Sequence, residues 1–311
     1  MKVIDKNMTE LKEPIAVTIG FFDGVHLGHK FLLEQLKNIA ATRSLPSAVL
    51  TFTKHPKRVL DKDFQPALLC SYEERLEKLA ATGIDYCIPM DFTEEISQLS
   101  AKDFMQKVLK DKYNVNTLLI GYDHRFGHDR RDGFEQYIGY GREMDMIVVQ
   151  GYELDTGEYV SSSHIRELLQ KGEVEEAAKL LTYNYSFSGT VVDGYKVGHT
   201  IGYPTANIAM DNPFRIVPAD GVYAAYTYLD GKRHHSMLYI GNRPTLLSKN
   251  NKSIESNILD FDQDIYGKEI RVELLRYIRR DAKFHNLDIL KRQLKMDEDR
   301  IKKYLDKLES K

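Results

Sequence analysis

The chain is short of cysteine. Two thiols, Cys70 and Cys87, in 311 residues make no disulfide scaffold, and a reducing cytoplasm is the compartment they fit. Long apolar runs are also missing: no window approaches the roughly 18 uninterrupted apolar residues of a membrane span. The opening stretch MKVIDKNMTELKEP holds no secretory h-region. Nor does one sign of charge dominate. Lys+Arg at 44 against Asp+Glu at 46 leave a net charge of -2, so no basic field draws the chain to nucleic acid or an anionic membrane. Low-complexity linkers and internal repeats are absent as well. Secreted, membrane-spanning, collagenous and disordered classes are thereby set aside. What remains is 42% hydrophobic and 29% charged, the balance of a soluble globular protein. At roughly 150 residues per domain the length suggests two domains.

The first half alternates between two hydrophobic periods. Short β-branched runs at Val17–Ile19, Ala48–Phe52, Cys87–Ile88, Thr117–Ile120 and Met146–Val149 read as strands buried on both faces. Between them, helical spacing recurs at Phe31–Ala41, Tyr72–Ala81, Ala101–Tyr113 and Phe134–Glu143, with Leu32, Leu36, Ile39 and Ala40 lining one helix face. This alternation predicts an open, doubly wound parallel α/β sheet. Beyond about residue 160 come two short helical stretches broken at Gly172, then closely spaced strands with Asp193-Gly194, Asp230-Gly231 and Tyr266-Gly267 as turns. Many short strands without helices between them predict a small closed barrel, and Leu287 to Leu308 add a terminal amphipathic helix. The predicted domains are 1–182 and 183–311.

Two constellations carry chemistry. In the first, Gly20-Phe21-Phe22-Asp23-Gly24-Val25-His26-Leu27-Gly28-His29 lies between the first strand and the first helix. Its glycines permit a tight turn and close backbone approach to a ligand. His26 and His29 fall on one helix face, beside free N–H groups that favour an anion. That arrangement suits a triphosphate attacked in line at its α-phosphorus; a solvated loop or a histidine pair for a metal fits the same spacing. Ser161-Ser162-Ser163-His164-Ile165-Arg166 opens a later helix, where hydroxyls cap the helix or bind phosphate and Arg166 reaches the same anion. Gly121-Tyr122-Asp123-His124-Arg125-Phe126-Gly127 follows the fourth strand towards the same crevice.

In the second constellation, Gly189-Thr190-Val191-Val192-Asp193-Gly194 and Gly198 to Asn207 bracket a glycine-rich loop whose amides can face phosphates. Thr205 and Asn207 offer oxygens suited to Mg2+. Glu255 can take a proton from a substrate hydroxyl during phosphoryl transfer. Taken singly, barrel turns are often glycine-rich, and a lone strand glutamate is often a solvated one.

Together the segments resemble the prokaryotic bifunctional riboflavin kinase/FAD synthetase (FMN adenylyltransferase) family. The first half carries GFFDGVHLGH with its HxGH core, Thr51-Phe52-Thr53-Lys54-His55-Pro56, the GYD-x-RFG segment and SSSxIR. The second carries GTVV-x-G, G-x-T-x-G-x-PTAN, GVYAA, YIGNRPT and E-x-x-ILDFD-x-x-IYGK, in the family's order over essentially the whole chain. The resemblance implies an amino-terminal domain that transfers AMP from ATP to FMN, giving FAD. It likewise implies a carboxy-terminal barrel that phosphorylates riboflavin to FMN, with Mg2+ serving both. His26, His29 and Arg166 would be catalytic in the first domain. Gly20, Phe21, Asp23, Gly24, Gly28, Asp123, Ser162 and Ser163 would hold nucleotide and phosphates there. In the second, Glu255 would be the base, Gly189, Gly194, Gly202 and Pro204 would line the nucleotide loop, and Thr205 with Asn207 would hold Mg-ATP. Asp193 and Asn257 stand where members commonly carry His, His124 stands where Phe is usual, and His128 to Asp132 carry unusual charge. A paralogue with one activity, or a flavin-binding regulatory protein, could share these segments. The intact triphosphate clamp argues against the latter. Small molecules are the expected partners, with no nucleic acid, no membrane and an unassigned oligomeric state.

Overall fold

The computed structural model describes all residues except 5–10, 123, 129–130, 158, 195–196, 243–251 and 311. Two compact units emerge from the packing, Met1–Ser162 and Ser163–Lys311.

The first unit is built on β1 (Lys2–Val3), β2 (Ile15–Ile19), β3 (Ser47–Phe52), β4 (Tyr86–Met90), β5 (Val115–Ile120) and β6 (Ile147–Gln150). They form one sheet in the order β1-β4-β3-β2-β5-β6, parallel at every pair. All five residues of β2 are buried, as a strand covered on both faces requires. The expectation of two-sided burial fails at β6, where Ile147 is 39% exposed, because this strand has one neighbour and lies at the sheet edge. The helix Leu27–Thr42 buries Leu33, Leu36 and Ala40, with Leu32 and Ile39 as flanks of that stripe. Strand order fixes where a ligand can sit. From β2 the chain runs to β3 and β4 on one side, then crosses to β5 on the other. The carboxyl ends of β2 and β5 thus form the switch point where open α/β sheets bind ligands.

The second unit begins with helices Ser162–Lys171 and Val174–Leu181. At the break between them Gly172 has φ +82°, and a Cβ there would meet the Tyr277 ring at 3.0 Å. Then come β7 (Ser186–Val192), β8 (Ala206–Met210), β9 (Gly221–Leu229), β10 (Lys232–Asn242), β11 (Lys252–Ile258), β12 (Glu269–Arg280) and the helix Leu287–Glu309. The strands close an antiparallel barrel in the order β10-β11-β8-β7-β12-β9. Asp230 at φ 48° and Gly231 at φ 75° make the two-residue turn of the β9–β10 hairpin, a backbone whose twist matches the strands it joins. Register shifts at Leu274/Arg276 and Tyr277/Arg279 bend β12. Packing assigns residues 163–181 of these helices to the barrel's unit, with Arg276 of β12 pairing Glu175 at 3.7 Å.

Candidate active sites

The segment between β2 and the first helix folds as a strained turn. Phe22 (φ 54°) and Val25 (φ 41°) adopt left-handed backbone, flanking Gly24 at φ 79°. Such conformations cost on the order of 1–3 kcal/mol each for non-glycine residues and persist only where the surroundings over-determine them. Here the surroundings do. Asp23, 3% exposed, turns its carboxylate inward to accept from the Leu69 amide at 2.9 and 3.1 Å and the Cys70 amide at 3.3 Å. The Gly24 amide donates to Cys70 Sγ at 3.1 Å. Asp23 is thereby placed as an anchor of the turn. Gly20 is required because a Cβ would lie 2.9 Å from the Phe22 ring.

The turn delivers both histidines to the helix start. His26 caps Leu27–Thr42, its Nδ1 accepting from the His29 amide at 3.4 Å. The two imidazoles stack with centroids 3.6 Å apart, and Phe22 sets its edge against His29 at 5.2 Å. Burial, then the neighbouring His26, holds His29 well below the ordinary histidine value. Its Nδ1 is buried with no hydrogen-bond partner among the described residues, a polar atom left open for a ligand. Gly28 passes close beneath, its Cβ position 3.4 Å from the His26 ring. Ser162 Oγ donates to the Asp23 carbonyl at 3.1 Å, which ties Ser162 to this turn. Ser163 and Arg166 lie further along the helix that Ser162 opens, in the second unit. Asp123 is outside the described residues. The rest of its segment is held by packing: Phe126 stacks on Tyr137 at 4.5 Å, and a Cβ on Gly127 would meet the Ala101 amide at 2.8 Å.

Sequence reasoning missed Arg75. It is 2% exposed; Nη1 donates to the Phe21 carbonyl at 2.9 Å and Nη2 to that of Phe52 at 2.5 Å. Its guanidinium lies 4.2 Å from the Phe21 ring centroid. Only its place in the capped helix Tyr72–Ala80 was visible in the pattern.

In the barrel, β8 and β11 pair Asn207 with Glu255. Glu255 Oε2 accepts from Thr205 Oγ1 at 3.1 Å and Oε1 from Ser253 Oγ at 2.7 Å, so two hydroxyls fix the carboxylate. Ser253, two residues away on the same face of β11, is a partner the sequence reading did not name. Asn257 Nδ2 donates to the Pro204 carbonyl at 2.7 Å, tying β11 to the Pro-Thr-Ala-Asn segment. Gly194 packs directly on Asn207, its Cβ position 2.0 Å from Nδ2, and Gly202 (φ +84°) makes the turn before Pro204. Gly189 lies within β7, where a Cβ would strike the Ala209 carbonyl at 2.4 Å, a demand of strand packing.

Two cavities meet at Thr205. One, about 270 Å³, has apolar walls from Tyr203, Val222, Met237, Phe284, Leu290 and Leu294, with Thr205, Tyr239, Glu255, Asn257, Arg279 and Asp281 among its polar groups. The other, about 450 Å³, runs from His199 and Thr200 past Pro204 to Phe261 and Tyr266. Burial, then the Asp281 and Glu255 carboxylates, pushes the Tyr239 hydroxyl up from its ordinary value. Arg279 is steadied by Asp297 of the terminal helix, 2% exposed, at 2.8 Å. The two cavities share Thr205, whose hydroxyl donates to Glu255.

Comparison with known proteins follows the same division. The FAD synthetase family matches residues 8–164 and the riboflavin kinase family residues 181–305. A bifunctional riboflavin kinase/FMN adenylyltransferase of Listeria monocytogenes is 35% identical over 294 residues, covering 94% of this chain and 93% of its own. Its counterpart in Escherichia coli is 35% identical over 290 residues, covering 92% and 91%. A solved protein of Streptococcus pneumoniae, described as a macrolide-efflux protein, shares the fold with a TM-score of 0.83 at 33% identity, covering 96% of this chain and 97% of its own. Among the described residues no helix is long and apolar enough to cross a membrane.

Proposed function

From the premise that this chain belongs to the bifunctional riboflavin kinase/FMN adenylyltransferase family, we propose how its residues divide the two reactions. It is an enzyme with an FAD synthetase domain and a riboflavin kinase domain. The barrel phosphorylates riboflavin with ATP to FMN; the α/β unit adenylylates FMN with a second ATP, giving FAD and pyrophosphate.

The Thr205–Glu255 contact, at the junction of the two cavities, carries the kinase reading. Riboflavin lies in the apolar cavity with its ribityl chain towards Glu255, and the nucleotide occupies the other. Glu255 takes the proton of the 5'-hydroxyl as its oxygen attacks the γ-phosphorus, and ADP leaves. With two hydroxyls donating to it, the carboxylate keeps acceptor capacity for that proton. Thr205 and Asn207 present neutral oxygens beside a carboxylate, a donor set that fits Mg2+ carried on ATP phosphates, and no cluster of three His, Cys, Asp or Glu competes among the described residues. The ion would neutralise charge on the phosphoryl oxygens.

In the first unit FMN brings its own nucleophile. A phosphate oxygen attacks the α-phosphorus of ATP and pyrophosphate departs. His26 and His29 face the phosphates from the helix start and stabilise the charge that develops. Gly20, Phe21, Asp23, Gly24 and Gly28 shape the turn, Ser162 is tied to it, and Asp123 is assigned to the nucleotide. The functional boundary is proposed at 182/183, beside the start of the riboflavin kinase match at residue 181. ATP supply and two buried thiols fit a cytoplasmic enzyme.

Two product assays with ATP and Mg2+ test the reading, one from riboflavin and one from FMN, with the flavins separated by chromatography. FMN from the first and FAD from the second are expected. Riboflavin left untouched would overturn the barrel assignment, and FMN left untouched would overturn that of the α/β unit.

A further inference from the structure

The turn that presents His26 and His29 is strained at Phe22 and Val25, and much of its anchorage comes from one short segment, Leu69 to Arg75. Part of that anchorage is a buried cation, Arg75. One guanidinium bridges the chain just beyond β2 and the end of β3, through the carbonyls of Phe21 and Phe52. Thr51 Oγ1 donates to the same Phe21 carbonyl at 3.2 Å. Arg75 forms no ion pair with a carboxylate among the described residues, and its Nε is buried without a partner. Burial lowers its pKa; the nearby Asp23 carboxylate and the Phe21 and Tyr72 rings offset only part of that cost, so a charge held here by two carbonyls is costly to keep. A neutral apolar residue would serve packing in that place better. The arrangement is what holding two carbonyls at a fixed separation requires, since the planar fork of arginine reaches both and an ammonium reaches one.

We infer that Arg75 is a positioning residue for the nucleotidyl transfer: by tying Phe21 to Phe52 it sets the turn from which His26 and His29 meet the phosphates. This rests on the adenylyltransferase reading of the first unit. Because it acts through groups that work in the transition state, its loss falls on kcat more than on nucleotide binding. The role is geometric, so retaining the charge does not rescue it.

The test uses the full chain, with FMN-to-FAD kinetics on wild type, Arg75→Lys and Thr51→Val. FAD formation by the wild type keeps failure here distinct from failure of the underlying reading. Arg75→Lys should lose about ten- to a hundred-fold in kcat, the scale of a misplaced catalytic group. KM for ATP should stay within about three-fold, and riboflavin phosphorylation within about two-fold, since that site lies in the other unit. Thr51→Val, which removes the weaker donor from the same carbonyl, should lose a few-fold in the same direction. Wild-type kcat in Arg75→Lys, or a large rise in KM at preserved kcat, would overturn the proposal. If Arg75→Lys does not fold, Thr51→Val decides, and wild-type kcat in that variant overturns it equally.

Discussion

In the α/β unit the groups proposed to act sit on a turn whose own backbone is strained, where two imidazoles stack. In the barrel a carboxylate stands on an unstrained strand, gripped by Thr205 and Ser253. Both sites handle ATP, so the nucleotide does not explain the difference; the acceptor does. An alcohol must lose a proton as it attacks phosphorus, and a base must be held where that proton leaves. A phosphate ester, with its second pKa at about 6, arrives already ionised near neutral pH. A site for it needs charge stabilisation and alignment, which backbone amides and imidazoles supply.

Breaking each half separately is the direct check. Glu255→Gln should lower riboflavin phosphorylation by about a thousand-fold, within the range for losing a general base, and leave FAD formation from supplied FMN unchanged. His29→Ala should do the reverse, lowering adenylylation on the order of a hundred-fold or more while riboflavin turnover persists. If both reactions fell together in either folded variant, the division of labour would be wrong.

A subtler probe uses proton linkage. Since His29 titrates well below 6.5 in the fold, the folded protein binds fewer protons than the unfolded chain just under that pH. The resulting stability is full above 6.5 and is lost as pH falls towards the depressed value. Thermal unfolding followed from about pH 7.5 to about pH 5.5 should show Tm dropping, and His29→Asn should flatten that drop. Smallest of all, Asn257→Ala should remove about 1 kcal/mol of stability with the Pro204 tie. It should raise KM for riboflavin a few-fold and leave adenylylation kinetics alone.

Much of this was legible beforehand because it was local. Short β-branched runs alternating with helical spacing marked the parallel sheet, Asp230-Gly231 marked a hairpin of the barrel, and the histidine spacing marked the helix start. What escaped the sequence depended on distant residues. Nothing local announces that the Asp23 carboxylate accepts from the Leu69 and Cys70 amides. Nor does anything local announce that β8 packs so closely on Gly189 that a Cβ has no room there. Arg75 reads as one more helix charge, since nothing within four residues announces that it points inward. The helices at 162–181 follow the first unit in sequence, yet an apolar face of Val174, Ala177, Leu180 and Leu181 packs with the second.

The place of β12 in the ring carries a consequence for synthesis. It lies between β7 and β9, pairing Glu269 with Thr190 and Arg271 with Tyr228. Until residue 280 has left the ribosome, both of those strands present an open edge, a template for pairing with another chain. The six strands of the first sheet are complete by Gln150. One half of the nascent chain can therefore settle early, while the other waits for its last strand and is exposed to misassembly in the interval.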